Sequence, residues 1–199
     1  MGVLYVKQGA SGVSGLSWGD AFGELANAIV QANNSNTTTP GSITEIWVAA
    51  GTYYPLYKAG NGSTTRDQAF VLPSNVKIYG GFAGTETLLS QRNWSSHSSV
   101  LSGDIGTVGN NSDNSYHVVI SGGNVGTAEL NGFTITGGNA DASSGQITVN
   151  SSYYFQKSYC GGIYCISSSP ILSNLIITGN SGKYCGGGVN LTNSSPTIS

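Results

Sequence analysis

From residue 43 onward the chain alternates short apolar runs with clusters of Gly, Asn and Ser. Ile46-Trp47-Val48, Ala69-Phe70-Val71-Leu72, Val76-Lys77-Ile78-Tyr79, His117-Val118-Val119-Ile120 and Phe133-Thr134-Ile135-Thr136 are such runs. Each is short, rich in β-branched and aromatic residues, and bounded by turn residues, which predicts many strands with no helix between them. A sandwich, a barrel or a solenoid satisfies that pattern. Ahead of residue 43 the period changes. Ala21, Phe22, Leu25, Ala26, Ile29 and Val30 recur at helical spacing, with N-cap candidates in Ser17-Trp18-Gly19-Asp20 and a stop at Asn33-Asn34. This is the single helix expected, and its task is to cover the open end of the apolar core and the unpaired edge of the first strands. A polar loop then runs to Ser42. The expected organisation is one domain, with a cap over 1–42 and repeated strands over 43–199.

An internal repeat selects the solenoid. Tyr159-Cys160-Gly161-Gly162 returns as Tyr184-Cys185-Gly186-Gly187, and Ser168-Ser169-Pro170-Ile171 returns 26 positions later as Ser194-Ser195-Pro196-Thr197. Phe133-Thr134-Ile135-Thr136-Gly137 matches Leu175-Ile176-Ile177-Thr178-Gly179, with an insertion between. A period in the twenties is one coil of a solenoid and too short for a propeller blade. Stacked at about 4.8 Å, coils place like residues in ladders, Ile/Val/Leu/Phe inside and Ser/Thr/Asn at the turns. Ser199 falls partway through a repeat, so the chain is expected to be C-terminally truncated and part of a longer polypeptide.

Composition agrees. Charged residues make up 8% of the chain, against roughly 25% in an average globular protein. With 38% apolar residues and a net charge of −2, the deficit does not signal disorder. Thirty glycines, with abundant Ser, Thr and Asn, supply tight turns instead. The seven Lys/Arg are scattered, which excludes a nucleic-acid partner, and no apolar run is long enough for a membrane span. Met1-Gly2 leads directly into strand-like Val3-Leu4-Tyr5-Val6 without a signal peptide, as in a mature form or a recombinant segment.

Gly161 to Asn180, with its Gly-Gly-Ile-Tyr, Ser-Ser-Ser-Pro-Ile-Leu-Ser-Asn and Ile-Ile-Thr-Gly-Asn, resembles the repeats of bacterial right-handed parallel β-helix proteins of the pectate-lyase-like superfamily. It is also similar to polymorphic outer-membrane protein repeats. Upstream segments fit the N-terminal region of the same group: Ile46 to Tyr53, Tyr79 to Glu86, Leu101-Ser102-Gly103-Asp104-Ile105 and Asp113 to Val119. The resemblance spans nearly the whole chain. It implies an all-β, right-handed parallel β-helix with a short N-terminal capping helix, secreted or at the cell surface in association with the outer membrane. It is specific for fold and much less so for activity, because lyases, hydrolases and non-catalytic adhesins share the fold.

The chemistry is sparse. The resembled lyases use a basic residue and Ca²⁺ or another cation, whereas glycoside hydrolases need two carboxylates roughly 5 to 10 Å apart. No two of the nine acidic residues lie closer than four positions, and none recurs at the coil spacing inside the clear repeats. Between Tyr159 and Ser199 there is no acidic residue, and Lys183 is the only basic one. The best polar cluster runs from Ser102-Gly103-Asp104 through Asn110 to Ser115 and on to His117. Asp104 and Asp113 offer hard oxygen ligands for Ca²⁺, or else bond turn N–H groups as Asx turns do. His117 lies in an alternating strand, as a cross-coil hydrogen-bonder or a base. Arg66-Asp67 and Arg92 carry isolated charges suited to salt bridges, and Trp94 is suited to stacking on a sugar ring. Cys160 and Cys185 occupy like repeat positions, as a disulfide or as free thiols beside Cys165.

Two functions follow. The first is an extracellular or cell-surface scaffold, structural or adhesive, presenting a Ser/Thr/Asn-rich face to a glycan or a surface protein. The second is a carbohydrate-active enzyme, a polysaccharide lyase or glycoside hydrolase, drawing on Arg92, Asp104, Asp113 and His117. The missing acid/base constellation favours the scaffold, with Ca²⁺ as the one candidate cofactor.

Overall fold

The structure, a computed structural model, describes residues 2–199. It is mostly strand, in parallel sheets with no barrel, and holds one α-helix among the described residues. Three stacks form the framework. The first contains β1 (Gly2–Val6), β2 (Ile43–Ala49), β5 (Lys77–Phe82), β8 (Glu129–Asn131), β14 (Ile171–Ser173) and β18 (Thr197–Ile198). The second contains β3 (Gly51–Tyr53), β6 (Ser99–Ser102), β9 (Phe133–Thr136) and β15 (Ile176–Ile177). The third contains β4 (Phe70–Val71), β7 (Val119–Gly122), β13 (Ile163–Ile166) and β17 (Val189–Thr192). From β2 onward the chain visits first, second and third stack in fixed rotation, and every ladder within them is parallel.

Register follows the apolar alternation. In the first stack Leu4, Ile46, Ile78, Leu130 and Leu172 face one another in successive strands, and all five are buried. In the second, Tyr53, Leu101, Ile135 and Ile177 form the matching inward column. Each fully buried Leu or Ile contributes about 1.5–3 kcal/mol, and a one-residue slip would turn a whole column outward. The pairs Ile163–Val189 and Ile171–Thr197 sit 26 positions apart, the period of the sequence repeat.

The helix differs from the expected one at both ends. Trp18–Asp20 forms a single 3-10 turn, and α1 runs over Leu25–Thr38. Phe22 is withdrawn from the helix because its backbone bonds Tyr5 and Lys7 beside β1, which places its ring in the core. The helix continues past Asn33 and Asn34 because Thr37 and Thr38 hydroxyls donate to their carbonyls. The Asn36 side chain then bonds both backbone groups of Ile43. Leu25, Ala26, Ala28, Ile29 and Ala32 are buried in the same core as Leu4 and Val6, so α1 does pack over the first strands.

The insertion between matched repeats is an antiparallel hairpin, β11 (Gln146–Val149) with β12 (Tyr153–Gln156), flanked by the short parallel pair β10 (Asn139–Ala140) and β16 (Ser181–Gly182). Ile147, Val149 and Phe155 pack on Ile120, Tyr164 and Ile166. Strands β7 and β13 of the third stack are therefore buried on both faces.

Candidate functional site

Two outward rows run along the first stack. One reads Tyr5, Trp47, Tyr79, Asn131 and Ser173; the other reads Val3, Glu45, Lys77, Glu129 and Ile171. The aromatic end is sealed by Trp18 and Phe82, with Trp47 and Phe82 stacked at 4.8 Å. Trp18 is anchored by its Nε1–H to the Glu86 carbonyl at 2.8 Å.

The segment after β5 folds back over this face and delivers Arg92 and Trp94. The Arg92 guanidinium lies between the Tyr79 and Trp94 rings, 4.8 Å from each centroid. It donates to the carbonyls of Gly80 and Asn131 and to Asn131 Oδ1. Burial lowers its pKa, opposed by Tyr79 and by the charge of Glu129. Glu129 accepts from Tyr79 Oη at 3.2 Å and Asn131 Nδ2 at 2.7 Å. Burial first, then the charge and hydrogen bond of Glu129 and the charge of Glu45, push the Tyr79 phenol well up, so it stays a donor. Glu45 accepts from Trp47 Nε1 at 2.7 Å.

Arg92 thus acts as a clamp, and what it holds is Trp94. The indole is 41% exposed and forms one wall of a cleft of about 450 Å³ between the first and second stacks. Phe133 and exposed Ile176 supply its apolar surface; Ser95, Ser98, Thr134 and Asn174 supply hydroxyls and an amide. No charged side chain lines it. The Asn174 amide donates to Asn131 Oδ1 at 3.0 Å, so cleft and clamp share one network. An aromatic wall with neutral hydrogen-bonding groups suits a ligand with one apolar face and many hydroxyls.

The other sequence candidates stand apart from this cleft. Asp104 accepts from the Gly109 N–H, and Asp113 from the Thr107 N–H and Asn110 Nδ2, so both carboxylates bond loop groups. Among the described residues no group of three His, Cys, Asp or Glu side chains converges as a metal site. His117 is buried, with Nδ1 2.7 Å from the Cys160 carbonyl. Arg66 and Asp67 do not pair with each other: Arg66 bridges to Asp141 and Asp67 to Lys157, each at 2.7 Å. The β13–β17 register runs at 26, so Cys185 stands one position ahead of the residue opposite Cys160, and all three cysteines are free thiols.

Sequence reasoning missed Tyr79, Glu129, Asn131 and Asn174. Their grouping depends on which strands are neighbours, and the alternation Glu129-Leu130-Asn131, with a buried Leu130 between two outward polar residues, was the only local signal. It also missed that Glu45 and Glu129 share an outward row, with Lys77 between them. No family model matches the chain, and no curated protein or solved structure matches it either.

Proposed function

We propose that the chain is a right-handed parallel β-helix, akin to the pectate-lyase-like repeat proteins, that serves as a secreted or cell-surface scaffold and binds a neutral glycan in the Trp94 cleft. Rotation through three parallel stacks supports the fold, and the half-exposed Trp94 in a cleft without charged walls carries the function. A uronate polymer would find no cation there to meet its carboxylates. A neutral sugar would stack an apolar face on the indole and bond Thr134 and Asn174. The test is a glycan array followed by calorimetry on the best ligand. Trp94→Ala is expected to weaken binding about tenfold, equivalent to roughly 1.4 kcal/mol. Preference for anionic glycans, or unchanged affinity in the variant, would sink the reading.

One observation favours an enzyme instead. Glu45 and Glu129 lie two strand steps apart in one outward row, about 9.6 Å at the usual spacing, within reach of the separation used by inverting glycoside hydrolases. Lys77 stands between them, so the row also reads as an alternating charge ladder. A reducing-sugar assay decides: turnover abolished by Glu129→Gln makes the chain a hydrolase.

A further inference from the structure

A second cluster shares no residue with the cleft. Asp67 is fully buried, and Lys157, at the foot of the β11–β12 hairpin, places Nζ 2.7 Å from its Oδ1. Oδ1 has this cation beside it and no other donor. Since a carboxyl C–O bond adds only about 1.2 Å, Nζ lies within about 4 Å of the Asp67 carboxyl carbon. Oδ2 is held quite differently: the N–H groups of Ser63 and Thr64 and the Thr64 hydroxyl all donate to it, at 2.8–2.9 Å. Three fixed donors on one oxygen are what a developing oxyanion requires.

We propose that Lys157 and Asp67 condense into an intramolecular amide. The Lys157 ammonium gives one proton to Oδ1, 2.7 Å away, and the freed amine attacks the now neutral carboxyl at its carbon. The tetrahedral oxyanion forms on Oδ2 against Ser63 and Thr64. Nζ then gives a second proton to the Oδ1 hydroxyl, which leaves as water. One C–N bond forms, one C–O bond breaks, and no oxidant or cofactor is needed. The low dielectric of the cluster favours the neutral product over a buried ion pair.

The measurement is the intact mass of the denatured wild-type protein, followed by peptide mapping. The expected mass is one water below the sequence mass, with the deficit located in a branched peptide joining Asp67 to Lys157. Lys157→Ala and Asp67→Ala should each restore the full mass, whether or not they remain folded. A wild-type chain of full mass, or a deficit that persists in Asp67→Ala, overturns the proposal.

Discussion

The Nδ1 atom of His117 lies 2.7 Å from the carbonyl oxygen of Cys160, a bond between the segments entering β7 and β13. It fixes the tautomer of a fully buried ring. Burial lowers the imidazole pKa to about 4, only partly countered by the Cys160 bond and the Asp67 charge, while Lys157 lowers it further. The ring of Tyr164 closes the remaining side.

Acid stability follows from that. The unfolded imidazole titrates near 6.5, above the folded value, so the unfolded state binds more protons between the two. Stability from this residue is complete above pH 6.5 and is lost as pH falls toward 4, by about 3 kcal/mol in all. Urea denaturation from pH 7 to 4 should show this loss, and His117→Gln should flatten the slope over that window.

The Arg92 clamp gives a second prediction. A lysine cannot fork to two carbonyls and the Asn131 amide while stacking between two rings. Arg92→Lys is therefore expected to cost about 2–3 kcal/mol in chemical denaturation, close to the cost of Arg92→Ala. Glycan affinity of Arg92→Lys should also fall, because Trp94 loses the face that holds it.

The hairpin gives a third. Gly60 has φ +50°, and a Cβ there would stand 1.9 Å from the Thr148 carbonyl oxygen in β11. Gly60→Ala should lift the hairpin off the third stack. Hydrogen exchange over residues 146–156 should then rise by at least tenfold, with the column from Leu4 to Leu172 still protected. Phe155→Ala removes a fully buried ring of that patch and should cost about 3–4 kcal/mol.

Thiol reactivity gives a fourth. Burial pushes the Cys160 thiol up to about 11 and the Cys165 thiol up to about 12, whereas Cys185 is partly exposed. Iodoacetamide at pH 8 on the folded protein should add one carbamidomethyl group, at Cys185. No adduct before denaturation would instead indicate a Cys160–Cys185 disulfide.

Much of the framework was legible because it repeats. Ile171 faces Thr197, and Thr134 faces Ile176, as the aligned segments required. The helix boundaries were not, since Phe22 has the right spacing for the helix but is claimed by the backbone of β1. The site was only partly legible. Arg92 and Trp94 were visible as isolated chemistry in a charge-poor chain, yet their partners Asn131 and Asn174 come from the two following circuits, and Tyr79 from the strand before them. The pairing of Asp67 with Lys157 was invisible for the same reason, because it joins a loop to an insertion with no period of its own.

The hairpin between β10 and β13 leaves the register of everything around it intact: Leu130 still faces Leu172, and Ile135 still faces Ile177. That corner is therefore a graft port. Its sequence can be lengthened, exchanged or replaced by foreign cargo without rewriting the ladders on either side, provided that the substitute covers Ile120 and Tyr164. Evolution can change what this side of the molecule displays at a far lower cost than changing any strand.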